Sequence, residues 1–408
     1  MTDASDPGHR NSPAPYGAPG AAAIASRTGG LQQGRAGAMG ENGSNVGLLG
    51  IVGAGTMGAG IAIASAAHGV RVALVDTTAA AVAAARQAAE GFYRRQVERG
   101  RMTAADAEAA LARIGGGTDL GALADADLVI EAVFEDFDVK AALLQRLDAV
   151  VAPTALVATN TSCLTVGGLA AHLSGPERFL GMHYFNPAAI SPIVEVVRGA
   201  QTGAAAMDRA LAFCRETGKT PIACKDRHGF ALNRFFCPYT NEAVRAYDEG
   251  LASTADIDRV ATVALGAAAG PFRVMNLIKP RINLHAIRNL APLGPFYAPA
   301  ASMVTMGEAD REWAIGQPSA PDVARDAVIA NRLRAGAFLA ILEELDEGVA
   351  APAEIDLGAA QAFKFGTPPC ALMDKLGRPV VERLIAPLCA RHGLTTPKSL
   401  ARVGGLVA

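Results

Sequence analysis

Between Val46 and Thr78 the chain reads VGLLGIVGAGTMGAGIAIASAAHGVRVALVDTT, and few folds can absorb that string. Val46–Val52 is an apolar run of strand length. Gly53, Gly55 and Gly58 follow as G-x-G-x-x-G. An Ala/Ile/Met helix then runs through about His68, and Val70–Val75 is a second strand ending in Asp76. Gly53 permits a tight turn, Gly55 lets the backbone approach a pyrophosphate, and Gly58 permits close helix–strand packing, with the helix N-terminus attracting the anion. Asp76 stands 23 residues after Gly53. A carboxylate there binds ribose hydroxyls and repels a 2′-phosphate, so the expected cofactor is NAD rather than NADP. A glycine-rich turn alone is a weak signal. The ordered set of strand, turn, helix, strand and acid is specific. It predicts an α/β fold built on a Rossmann-like doubly wound sheet.

Downstream, residues 79–114 read as helical, with Ala every few positions and solvated charges. Asp127–Val133 (DLVIEAV) and Leu156–Thr159 read as buried strands, the second ending in Asn160-Thr161-Ser162. Polar residues at the C-terminal end of a strand in such a sheet face the ligand crevice. Ser162 alternatively reads as the N-cap of a helix beginning near Leu164. Gly181–Val196 (GMHYFNPAAISPIVEV) holds His183 and, twelve positions on, Glu195, with Pro-containing turns between them. A fold-back would set imidazole beside carboxylate. The carboxylate would fix the tautomer and leave the other ring nitrogen free as a general base. Taken alone, a histidine in such a hairpin is more often a satisfied buried side chain than a base.

Composition narrows the partners. A net charge of −2 over 408 residues argues against nucleic acid, and no Lys/Arg run suits an anionic membrane surface. No uncharged apolar stretch is long enough to span a bilayer. Six cysteines without C-x-x-C spacing read as free thiols in a reducing cytoplasm, with no metal site. Residues 1–45 are rich in Gly, Ala, Pro and Ser and lack a signal-peptide pattern, so they are expected to be a disordered tail, with Met39 as an alternative first residue.

Together GAGTMGAGIA, Asp76, DLVIEAVFED, ATNTSCL, GMHYFNP, IVEVV and GFALNRFF resemble the L-3-hydroxyacyl-CoA dehydrogenase family over about residues 46–275. That resemblance implies oxidation of an L-3-hydroxyacyl thioester with NAD. His183 would be the base and Glu195 its orienting partner. Glu135 and Lys140 would border the NAD site. Ser162 would sit near nicotinamide and substrate, and Asn233 would hydrogen-bond substrate. Arg99 matches a basic CoA contact, but a family serine seven residues earlier is Phe92. The first helical unit also carries Ala267–Ala269 where the family has an aromatic residue and Pro-Met, which would widen a neighbouring channel. A bulky or carrier-bound acyl thioester, a free hydroxy acid, or a non-catalytic NAD-binding role are the competing readings.

Beyond residue 230 the periodicity is helical and repeats. Asn233-Arg234 recurs as Asn331-Arg332, Asp248-Glu249-Gly250 as Asp346-Glu347-Gly348, and Pro271 as Pro369, at a constant offset of 98. The expected organisation is an NAD-binding domain at 46–228, a first helical domain with linker at 229–325, and a second helical copy at 326–408. The resemblance implies that single-copy members pair these domains between subunits, so a monomer or a homodimer is expected. The second copy is expected to lack a partner sheet, leaving Asn331 structural. The linker, about 281–330, reads as packed between the copies, with His285 as a minor alternative ligand.

Overall fold

The computed structural model describes residues 43–407, so the expected tail at 1–42 lies outside the described residues. Eight strands form one sheet: β1 Leu48–Val52, β2 Arg71–Val75, β3 Ile114–Gly117, β4 Leu128–Glu131, β5 Leu156–Thr159, β6 Phe179–Tyr184, β7 Ile193–Arg198 and β8 Thr220–Lys225. Their order is β3-β2-β1-β4-β5-β6-β7-β8. The first six run parallel. β7 turns antiparallel to β6, and β8 follows β7 in parallel. Central strands such as LVIE are buried on both faces, as a helix-covered parallel sheet requires. The order reverses between β1 and β4, which opens a crevice at their carboxyl ends.

Helices cover the sheet: α1 Thr56–Ala67, α2 Ala79–Glu98, α3 Ala104–Ala112, α4 Phe137–Asp148, α5 Val166–Ala170 and α6 Ala204–Glu216. Two strands were missed by the reading of the sequence. β3 is IGGG, whose glycines carry no strand signal and which forms by pairing with β2. β8 contains Pro221 and closes the opposite edge.

The remainder is helical: α7 Leu232–Asp248, α8 Thr254–Ala264, α9 Pro271–Ile278, α10 Pro280–Leu290, α11 Ala301–Glu308, α12 Val323–Glu347, α13 Pro352–Ala362, α14 Pro369–Leu376 and α15 Arg378–His392. The spans of α8 and α9 recur as α13 and α14 at an offset of 98, and α10 and α15 begin at the same offset. Local devices recur too. Asp258 accepts the N–H groups of Phe272 and Arg273 at the start of α9, and Asp356 accepts those of Cys370 and Ala371 at the start of α14.

The contacts between these units are reciprocal. Arg234 on α7 pairs with Glu347 on α12, and Arg332 on α12 pairs with Glu249 at the end of α7. Each pair is the other with the units exchanged, as a two-fold relation demands. At the same axis Gly366 N–H donates to Gly266 O at 2.9 Å and Ala268 N–H to Lys364 O at 3.2 Å, an antiparallel bridge pairing Ala267 with Phe365. Ala267 is therefore buried opposite a buried aromatic ring, and its small side chain opens no channel there.

The expectation that the second unit lacks contact with the sheet is corrected. Edge strand β8 donates Lys225 N–H to Val349 O at 2.9 Å and Ala223 N–H to Glu354 at 3.3 Å. An exposed sheet edge is a pairing liability, and this contact covers it. Asn331 is exposed on α12, away from any crevice. The segment after α10 packs onto the first unit: Trp313 exchanges main-chain bonds with the Asn276 amide, and Ser319 bonds Asp256. His285 lies on the exposed face of α10.

Candidate active site

The dinucleotide crevice is built as its glycines require. Gly53 has φ +106°, and a Cβ there would lie 2.5 Å from Ala132 O. A Cβ on Gly58 would lie 1.8 Å from Gly53 O, so α1 can start this close to β1 only with glycine. Gly55, by contrast, is exposed and a Cβ on it would meet nothing within 4 Å. Open space thus lies over the turn. The N-terminus of α1 has no side-chain cap and no acid in its first turn, so its N–H donors and dipole are left for an anion. Asp76, at the end of β2, accepts Ala54 N–H at 2.8 Å on one oxygen and remains half-buried at the crevice rim. These features fit a pyrophosphate and a ribose diol.

Across the crevice His183 on β6 stands directly opposite Glu195 on β7 in the antiparallel register. Its Nδ1 lies 2.7 Å from Glu195 Oε2. Glu195 is fully buried, and its other oxygen accepts the N–H groups of Ala231 and Leu232 at 2.9 and 2.8 Å, where α7 begins. The carboxylate therefore has all its charge satisfied by one ring N–H and two amides, which fixes His183 with Nε2 facing the crevice. That Nε2 is 3.0 Å from Ser162 Oγ. Ser162 is not a helix cap: α5 begins with Thr165 at its N-cap, and the Ser162 hydroxyl is used by the imidazole.

Glu135 holds the Ser162 loop. Its Oε1 accepts the N–H groups of Ser162 and Cys163 and the Thr161 hydroxyl, at 2.8, 3.0 and 2.5 Å. Burial alone would raise its pKa. The Lys140 charge and the bonds from Thr161 and Ser162 outweigh burial and hold the carboxyl below its usual value. Lys140 is 1% exposed and lies between Glu131 at 2.6 Å and Glu135 at 3.2 Å. It sits behind the site, so any influence on a cofactor passes through Glu135. Glu131 was missed in the sequence, although an acid inside the apolar strand DLVIEAV signals a buried cation nearby. Asn160 was passed over as well: its Oδ1 accepts Tyr184 N–H at 2.9 Å and ties the ends of β5 and β6 together.

Asn233 occupies the first turn of α7, next to the amides bound by Glu195, and is half-buried. Phe185, just after β6, lies 4.6 Å from the His183 ring, and Phe230 lies 5.9 Å from it. Arg99 is exposed at the end of α2, and Phe92 packs edge-on to Tyr93 on the same helix. All six cysteines are free and buried. No helix among the described residues is long and apolar enough to cross a membrane.

Known proteins share this arrangement. The NAD binding domain of 3-hydroxyacyl-CoA dehydrogenase matches residues 48–227, and the C-terminal domain of the same enzymes matches residues 229–313. A 3-hydroxyadipyl-CoA dehydrogenase of Escherichia coli is 40% identical over 59% of this chain, and the match spans half of that protein's length. A 3-hydroxybutyryl-CoA dehydrogenase of Mycobacterium tuberculosis is 39% identical over 56% of this chain and 81% of its own. The crystal structure of a 3-hydroxybutyryl-CoA dehydrogenase from Escherichia coli superposes with a TM-score of 0.80 at 26% identity, over 88% of this chain and 98% of that one. The chain thus belongs to the 3-hydroxyacyl-CoA dehydrogenase family and is an NAD-dependent oxidoreductase.

Proposed function

We propose that the protein oxidises the 3-hydroxyl of an L-3-hydroxyacyl-CoA to the 3-keto thioester, and runs the reverse, with His183 as general base. The observation that carries this is the line Glu195–His183–Ser162, with contacts of 2.7 and 3.0 Å, at the mouth of a dinucleotide crevice. NAD, when bound, accepts the hydride from the carbon bearing the hydroxyl. His183 Nε2 takes the hydroxyl proton, and Glu195 stabilises the imidazolium that results. Ser162, fixed by Glu135, helps hold the reacting oxygen. Asn233 offers its amide to the thioester carbonyl, and Arg99 offers a cation to the CoA phosphates.

Phe92 favours a second reading on the same chemistry. It replaces a hydroxyl-bearing contact with a ring packed on Tyr93, which suits a CoA held differently or a carrier-bound acyl group. Free buried cysteines fit a cytoplasmic location. The reciprocal Arg234–Glu347 and Arg332–Glu249 contacts within one chain fit two copies of one helical domain and a monomer.

Loss of NADH absorbance with acetoacetyl-CoA is the direct test. Turnover is expected, and His183→Gln should lower kcat by about 10²–10⁴ while leaving NAD affinity unchanged. Near-wild-type turnover by that variant would remove His183 from the mechanism. Turnover confined to bulkier or carrier-bound thioesters would select the second reading.

A further inference from the structure

We infer that the second helical unit completes the acyl pocket of the first, and that Phe363 sets which acyl groups the site accepts. The inference rests on the dehydrogenase reading above. Phe363 ends α13, and the next residue, Lys364, turns the chain with φ +57°. Its ring lies flat on Phe236 of α7, with centroids 3.8 Å apart and planes 9° apart. The same ring meets Phe185 edge-on at 6.2 Å, and Phe185 in turn lies 4.6 Å from the imidazole of His183. A continuous aromatic path therefore leads from the catalytic base, through the strand β6 that carries it, to a side chain of the other helical unit.

The reacting carbon must lie within reach of His183 Nε2 and Ser162 Oγ. Phe185 flanks that point, and Phe185 and Phe363 are both only half-buried, so each keeps an open face. Phe236 lies one helical turn beyond Asn233 and hence on the same side of α7. An acyl substituent directed from the reacting carbon toward the helical units thus meets Phe185 first and Phe363 next. Aromatic rings in stacked and edge-on contact make a rigid apolar surface, and such a surface favours apolar or aromatic acyl groups of defined length. The unit that contributes Phe363 is held to the sheet through β8, so the ring is fixed relative to His183 by the contacts of Lys225 and Ala223.

The experiment compares wild type, Phe363→Ala, Phe363→Leu and Phe363→Trp on straight-chain 3-ketoacyl-CoA thioesters of increasing length and on one aromatic thioester, with NADH as donor. Pocket contacts of one or two methylenes change kcat/KM by about 10–200-fold. Phe363→Ala and Phe363→Leu should therefore raise the long-to-short ratio of kcat/KM by about tenfold. Phe363→Trp should lower that ratio, and KM for NADH should stay unchanged in all three. Phe363→Leu and Phe363→Trp keep an apolar side chain of substantial volume, so the ratio can be read even where Phe363→Ala does not fold. Equal ratios in all folded variants would overturn the role of Phe363. A wild type inactive on every thioester would instead remove the dehydrogenase reading itself.

Discussion

Glu195 accepts the backbone N–H of Leu232 at 2.8 Å, so the carboxylate that orients His183 is also the socket into which helix α7 is seated. Catalytic orientation and domain placement are thereby joined in one side chain. Glu195→Gln replaces an acceptor of three N–H donors with an amide that must turn an NH2 group toward one of them. Turnover should fall by about 10²-fold or more, because the imidazolium loses its counter-charge. Stability should fall by about 1–3 kcal/mol from the unpaired buried donor. Steady-state kinetics and urea unfolding of the same variant read the two effects, and unchanged kcat would exclude the orienting role.

Lys140→Met should be costlier to stability than any substitution of an exposed lysine. It leaves Glu131, fully buried, without its cation. Breaking a buried pair in this way costs about 3–5 kcal/mol. The double variant Glu131→Gln/Lys140→Met should recover a large part of that loss in urea unfolding. A double variant as unstable as Lys140→Met alone would show that the ion pair is not the cause.

Lys279 offers a gain instead. It joins α9 to α10 with φ +96°, and the matching junction in the second unit is Gly377 with φ +78°. A side chain in that region costs about 1–3 kcal/mol. Against this stand an exposed ion pair to Glu312, worth about 0–1 kcal/mol, and the greater unfolded freedom of glycine, about 0.5–1 kcal/mol. Lys279→Gly should therefore stabilise by about 1 kcal/mol, the balance of these opposing effects, in thermal or urea unfolding. Destabilisation would show that the strain is already relieved.

Asp258 ties stability to pH. Burial pushes its pKa up to about 6, although the amides of Phe272 and Arg273 pull the other way. The folded state then binds the proton more tightly than the unfolded chain, whose value is near the model 3.8. The associated stability is fully present below pH 4 and is lost as pH rises through 6. Between those limits wild type should lose roughly 2–3 kcal/mol relative to Asp258→Asn. Unfolding midpoints taken across the interval measure that difference, and a constant gap between the two proteins would refute it.

What could be read in the sequence was local. The glycine turn with Asp76, and the His183–Glu195 fold-back, each lie within a few dozen residues, and short-range periodicity and turn chemistry encode them. Repetition at a fixed offset marked matching residues of the helical units without any knowledge of their packing. Non-local contacts left no such trace. Glu135 holds the Ser162 loop and Lys140 lies between two acids, and neither arrangement shows in a pattern of single residues. β3 is mostly glycine and exists because β2 offers it a partner. Phe363 reaches Phe185 only once α13 has docked on β8, a relation of three distant segments.

The bridge between Ala267 and Phe365 carries one last consequence. In an interface between two identical subunits every amino-acid change is made twice, so a side chain that suits one half of the axis is imposed on the other. Here the two halves are encoded separately. Alanine on one side can be answered by phenylalanine on the other. The tandem chain is thus free to evolve an asymmetric axis, one half adapting to the reaction while the other keeps the pairing intact.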